Sequence, residues 1–202
     1  LVHRAAERLI REDGYVLTGV ADEGGLGPRL PTNETAIELL VRSIEAAGFE
    51  PGEQVSIALD VASSHFFRKD GYALESEDRW LSEDEMIDLL EDWTERYPIL
   101  SIEDGLAEDS WGGWTKLTER IGSHCRLIGD DFFATTLSRL ERGIAEQAGN
   151  AVLVKMNQVG TITETLAVID RAREAGFAAV VSARSGETED DFLSDLAVAG
   201  GM

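Results

Sequence analysis

The sequence has one cysteine, Cys125, among 202 residues. A single thiol excludes an intrachain disulfide framework and makes a reducing, cytoplasmic compartment the simpler expectation. Its three histidines, His3, His65 and His124, show no zinc-ligand spacing. Basic residues are scarce: 18 Lys and Arg stand against 39 Asp and Glu, a net charge of -21. A chain this acidic lacks the basic patches that nucleic acid or an anionic membrane needs, so neither is expected as a partner. An anionic substrate would need a local positive site made by metal ions, lysine and arginine. No apolar run approaches the ~20 residues that span a bilayer. No signal peptide is expected, because the chain opens directly into an amphipathic helical pattern. No low-complexity segment or long linker is visible. What is present, 43% hydrophobic and 28% charged residues, suits a globular chain with a sizeable core.

Apolar periodicity predicts a helix over residues 1–12, an extended stretch Y-V-L-T-G-V, a Gly/Pro-rich loop A-D-E-G-G-L-G-P-R-L-P, and a helix over 33–47. Five nearly continuous apolar runs follow as strands: 55–60, 99–103, 126–130, 151–155 and 178–182. A long loop with the turn Lys69-Asp70-Gly71 follows the first. The capping-box pattern S-E-D-E opens a helix at Ser82. Further helices are expected near 111–121, 137–147 and 163–175, with a last one beginning near Glu189. Strands apolar on both faces, alternating with helices, imply an α/β fold with a parallel sheet. A complete eightfold barrel takes ~250 residues. Periodicity therefore leaves an incomplete (βα) barrel and an open doubly wound sheet both standing.

Four of those strands end on a charged side chain: Asp60, Glu103, Asp130 and Lys155. In a parallel barrel such ends converge on one mouth. Three carboxylates offer the oxygen ligands that a hard dication takes. Lysine is out of place at the end of A-V-L-V unless it has work there. In a partly dry pocket beside a dication, Lys155 becomes a candidate general base. Asp104 and Asp131 follow two of the carboxylates directly, so their side chains should point the other way, in supporting or capping roles. Arg184 and Ser185, within S-A-R-S-G-E, form a candidate anion grip. Glu23, on the glycine-rich turn, is a candidate acid; no Lys-Ser/Thr follows, so this is no nucleotide P-loop. His65 lies in the loop after Asp60 and could approach the mouth. His3, on a surface helix, and His124, in a polar turn, are expected to have no role, and Trp80, Trp93, Trp111 and Trp114 to pack helices.

The strings D-E-G-G, A-L-D-V-A-S-S-H-F, Y-P-I-L-S-I-E-D-G-L-A-E-D-S-W, G-D-D, V-L-V-K-M-N-Q-V-G-T and S-A-R-S-G-E-T-E-D resemble enolase, the phosphopyruvate hydratase family, from about residue 2 to 198. The resemblance implies a partial TIM-type barrel of the enolase superfamily, with about five to six strands present. It also implies Mg2+-dependent dehydration of 2-phosphoglycerate, a small phosphorylated anion, to phosphoenolpyruvate in glycolysis. By position it puts the metal ligands on Asp60, Glu103 and Asp130, the base on Lys155 and the acid on Glu23. Substrate binding falls on Arg184 and Ser185, with Lys155. It further implies a cytoplasmic homodimer for the full-length protein. Residues 1–202 are expected to be part of the C-terminal catalytic barrel, without the N-terminal capping domain and the last barrel strand, and to be inactive in isolation. Three positions depart from the family pattern: Ala183 replaces a histidine, His65 replaces an acid and Gly105 replaces a proline. Ala183 removes a donor from the substrate end. That leaves two alternatives open: a paralogue acting on another phosphorylated or phosphono carboxylic acid, and a non-catalytic homologue.

Overall fold

Side-chain caps mark three helix starts, at Thr32, Ser82 and Thr161. In the computed structural model, which describes all residues except Asp22, Ser185, Glu187, Thr188 and Met202, helix α1 spans Val2–Glu12. Strands β1 (Leu17–Val20) and β2 (Leu26–Pro28) follow as an antiparallel pair. The Gly/Pro-rich segment was expected to be a plain loop, but it carries β2. Gly24, at φ 86, makes the reversal that lets the strands pair. Helix α2 (Asn33–Ala46) starts where the Thr32 side chain accepts from Thr35 N–H.

Strand β3 (Ile57–Asp60) leads into the segment expected to be a long loop. That segment is a small antiparallel sheet of β4 (Phe67–Arg68), β5 (Gly71–Leu74) and β6 (Arg79–Leu81). The turn at Lys69-Asp70 is where the sequence put it. Its strands are too short to show a period. Tertiary packing makes them: Tyr72 is fully buried and its hydroxyl accepts from Ala107 N–H at 3.0 Å. Helix α3 (Glu83–Arg96) opens with the full capping box: Ser82 accepts from Glu85 N–H, and Glu85 accepts from Ser82 N–H at 2.8 Å.

The rest alternates strictly. Strand β7 (Ile99–Glu103) is followed by α4 (Trp111–Ile121), and β8 (Arg126–Gly129) by α5 (Leu137–Glu146). Strand β9 (Ala151–Val154) leads to the single-turn α6 (Met156–Val159) and then α7 (Ile162–Glu174). Strand β10 (Ala178–Val181) leads to α8 (Phe192–Gly200).

Five strands form one parallel sheet in the order β10-β9-β8-β7-β3, which is chain order. A doubly wound sheet reverses its order at a switch point. This sheet does not, and its successive helices α3, α4, α5 and α7 pack on one another along one face. Single winding is barrel topology, so the partial barrel is the correct member of the pair. The strands are also staggered: Glu103 registers with Ile128, and Gly129 with Val152. A stagger of this kind is what a tilted, closing sheet requires.

The main core lies between sheet and helices. Ile102, Leu127, Val152 and Val154 from the strands meet Leu90, Leu117, Leu140 and Ile169 from the helices. Trp114 stacks on Phe132, with ring centroids 4.1 Å apart. Each fully buried aliphatic or aromatic side chain contributes about 1.5–3 kcal/mol. The opposite face of the sheet carries a smaller cluster, Ile128, Ala151 and Leu153. Gly105, just past β7, is tightly enclosed. A Cβ there would come within 3.0 Å of both Ile102 and Leu90.

Ion pairs between outer helices run one way. Arg42 on α2 reaches Asp13 at the end of α1 (2.6 Å), and Arg96 on α3 reaches Glu34 on α2. Lys116 and Arg120 on α4 reach Asp84 and Asp88 on α3 (2.6 Å each), and Arg171 on α7 reaches Glu141 on α5 (2.8 Å). In each of these pairs the cation belongs to the later helix. Among the described residues, no helix is long and apolar enough to cross a membrane.

Candidate functional site

Strand direction decides where the charged groups go. All five strands are parallel, so residues at their C-terminal ends share one rim. Asp60 and Glu103 are direct register partners at the ends of β3 and β7. Asp130 follows β8 and Lys155 follows β9. The four groups that the sequence singled out are thus placed side by side.

Their contacts are specific. Lys155 Nζ donates to Asp130 Oδ2, with both side chains largely buried. The other oxygen, Asp130 Oδ1, accepts from Gln158 Nε2 at 2.9 Å. Asp60 Oδ1 accepts from Ala62 N–H at 3.1 Å. Burial pushes Glu103 up to about 7, and the negative charges of Asp60 and Asp130 add to the rise, against a smaller pull from Lys155. Asp60 is raised as well, by desolvation first; the Ala62 N–H opposes this and the Asp130 charge reinforces it. One amine does not neutralise three carboxylates. A dication would relieve their repulsion, and an all-oxygen donor set suits a hard ion.

Asp104 follows β7 directly, has left the extended conformation at φ 44, and is buried. Its carboxylate accepts from Asp131 N–H at 2.8 Å and Asp130 N–H at 3.1 Å, which fixes the loop that carries Asp130. Burial raises Asp104 to about 6, opposed by the bond from Asp131 N–H. Asp104, Asp130 and Asp131 each offer an oxygen within 4.8 Å of the others, a group that could hold a metal ion. Because the Asp104 oxygens already accept those two N–H groups, its part is to support the loop.

The remaining sequence candidates are spread out. Glu23 sits on the exposed turn of the β1–β2 hairpin, whose Gly24 carbonyl is 2.8 Å from His3 Nε2. His3 therefore has an anchoring contact that its place on a surface helix did not suggest. Arg184 is exposed just past β10, and Ser185 lies outside the described residues. Ala183 offers only a methyl group; the neighbouring Ser182 hydroxyl turns to the Ala183 carbonyl at 3.2 Å. His65 lies in the loop after β3. It lines a cavity of about 460 Å³ together with Asp60, Arg68 and Glu75.

Two residues of the site were missed by sequence reasoning. Gln158 projects from α6, one turn after Lys155. Thr135, fully buried, sits in the loop after β8 at φ 49. Its hydroxyl accepts from Lys155 N–H at 2.9 Å and donates to Gln158 Oε1. The only available signal was the polar pair Asn157-Gln158 shortly after a buried strand.

The sequence matches the family described as enolase, C-terminal TIM barrel domain, over residues 2–202. It is 48% identical over 198 residues to the enolase of Natranaerobius thermophilus, an alignment covering 98% of this chain and 46% of that protein. The chain thus spans about half the length of the curated relative it matches. Single winding, charged strand ends on one rim and these matches agree: the chain belongs to the enolase family, as a segment of its C-terminal TIM barrel domain.

Proposed function

We propose that the full-length protein is a Mg2+-dependent carbon–oxygen lyase that dehydrates 2-phosphoglycerate to phosphoenolpyruvate. The observation that carries this reading is the amine of Lys155 on Asp130, at adjacent strand ends, beside a Glu103 raised to about 7. Asp60, Glu103 and Asp130 would hold the metal. When bound, Mg2+ supplies positive charge against the negative charge that builds on the substrate carboxylate as the α-proton leaves.

The chain's own groups do the rest. Lys155, held at the rim by its buried strand, takes the proton from the carbon next to the carboxylate. Its backbone is fixed by Thr135, so the amine moves only through its own side-chain torsions. Glu23 is the group proposed to protonate the departing hydroxyl, with its hairpin brought over the rim in the complete protein. Arg184 and Ser185 would grip the phosphate oxygens. A cytoplasmic location and a homodimer belong to the same proposal and rest on family membership. So does the absence of nucleic-acid and membrane partners, which the strong acidity supports.

Ala183 favours a second reading. A methyl group where the family pattern has a histidine leaves one fewer donor for the substrate, which suits a paralogue using a different phosphorylated or phosphono carboxylic acid. The test is the full-length protein with 2-phosphoglycerate and Mg2+, followed by the absorbance of the enol product. Turnover abolished by Lys155→Ala supports the first reading. A negligible wild-type rate with Mg2+ bound favours the second. Turnover unchanged in Lys155→Ala removes that lysine from the mechanism.

A further inference from the structure

Asp130 has both oxygens engaged. Lys155 Nζ is on Oδ2, and Gln158 Nε2 is on Oδ1 at 2.9 Å. The Gln158 side chain is itself fixed, because its Oε1 accepts from the Thr135 hydroxyl. A carboxamide has one donor end and one acceptor end. Asp130 only accepts here and Thr135 has a hydrogen to give, so a single amide orientation satisfies both neighbours.

Thr135 is an unusual residue to find in this place. It is fully buried and β-branched, yet sits at φ 49, where β-branched side chains are genuine outliers. Surrounding contacts must hold it there. They do: its hydroxyl accepts from Lys155 N–H at 2.9 Å, donates to Gln158, and has Leu153 C=O at 3.3 Å as a second acceptor. Helix α6 supplies the other half. Its one turn follows Lys155 directly and brings Gln158, three residues on, over the same face. One buried hydroxyl therefore ties together the backbone of the lysine and the amide that grips the carboxylate.

We infer that Gln158, oriented by Thr135, is a positioning residue for Asp130. It keeps the carboxylate in one plane when Lys155 leaves Oδ2, and so sets the geometry with which Asp130 meets a divalent cation. A side chain that merely filled space would not need its donor on a largely buried carboxylate and its acceptor on a buried hydroxyl. The inference rests on the metal reading above and names a residue which that reading does not use.

Mn2+ titration of the full chain, with free Mn2+ read by electron paramagnetic resonance, tests it. Gln158→Met keeps the volume and loses both hydrogen bonds. Its Mn2+ dissociation constant should rise about 10–100-fold, the usual effect of removing an outer partner of a ligand. Its thermal midpoint in EDTA should fall by only several degrees, with unfolding still cooperative. Thr135→Ser retains the hydroxyl and should retain the affinity. Gln158→Ala repeats the measurement if the thioether disturbs folding. Wild-type binding with both Gln158 variants within about twofold of it overturns the positioning role and leaves the metal reading intact. No Mn2+ binding by the wild type overturns the metal reading, and this inference with it.

Discussion

Asn150 offers a sharp test of how the strands carrying the site are held in register. Its side chain lies at the opposite end of the sheet from the charged rim, between α4, β8 and β9. Oδ1 accepts from Leu127 N–H at 2.8 Å, while Nδ2 donates to the carbonyls of Gly122 (2.9 Å) and Cys125 (3.0 Å). Its backbone continues the same junction, donating to Leu127 C=O at 3.2 Å and accepting from Ala178 N–H at 3.0 Å. Asn150→Ala removes the three side-chain bonds. Each is worth about 0.5–1.5 kcal/mol net, and the orphaned N–H of fully buried Leu127 adds about 1–3 kcal/mol. The Gly122 carbonyl can recover water, so the expected loss is about 2–4 kcal/mol, a large share of the roughly 5–15 kcal/mol of a typical domain. Asn150→Asp is more diagnostic. One oxygen still accepts from Leu127, but the other now faces two carbonyl oxygens, and only a protonated carboxyl can donate to them. The folded state must therefore raise this carboxyl above its ordinary value. A raised value contributes stability that is present at low pH and lost as pH rises through it. Urea unfolding should find Asn150→Asp near the wild type at about pH 4 and well below it at about pH 8. Equal stability at the higher pH, within about 0.5 kcal/mol, would refute the bridging role.

Two further outcomes are expected. In EDTA, the thermal midpoint should fall as pH rises from the ordinary glutamate value of 4.5 through about 7, because the raised Glu103 favours the folded state only while protonated; Glu103→Gln should flatten that fall and Mg2+ should reverse it, and an unchanged slope in the variant would remove Glu103 as the cause. With 39 acidic against 18 basic residues, added salt screens more repulsion than attraction, so the midpoint should rise between about 0.05 and 0.5 M NaCl; a fall would mean that the exposed ion pairs outweigh the net repulsion.

The readable parts of the sequence were those that local chemistry decides. Ser82 and Glu85 announce a helix start because the two halves of the capping box lie three residues apart. The runs ending at Asp60, Glu103, Asp130 and Lys155 announce strands because they are apolar at nearly every position, and parallel winding then brings their ends together. Barrel and doubly wound sheet could not be separated by periodicity, since strand order is a property of pairing. What the sequence hid is decided by distant partners. The strands β4–β6 exist because Tyr72 finds the loop before α4. Thr135 and Gln158 matter because two loops meet. Gly149-Asn150 reads as an ordinary turn until its amide is seen spanning two strands. Asp104 was read as a supporting residue from strand alternation, but its φ of 44 breaks that alternation, and the N–H groups of Asp130 and Asp131 that it accepts from come from another loop.

The one-way ion pairs between helices bear on how such a chain assembles. A unit added from the N-terminal side brings a cation to acids already in place and exposes fresh acids of its own. A partly built barrel that ends at α1, α2, α3 or α5 therefore presents acids on its leading face. Open strand edges invite pairing with other chains, but two such faces repel each other. The same polarity that aligns finished helices thus keeps unfinished copies apart.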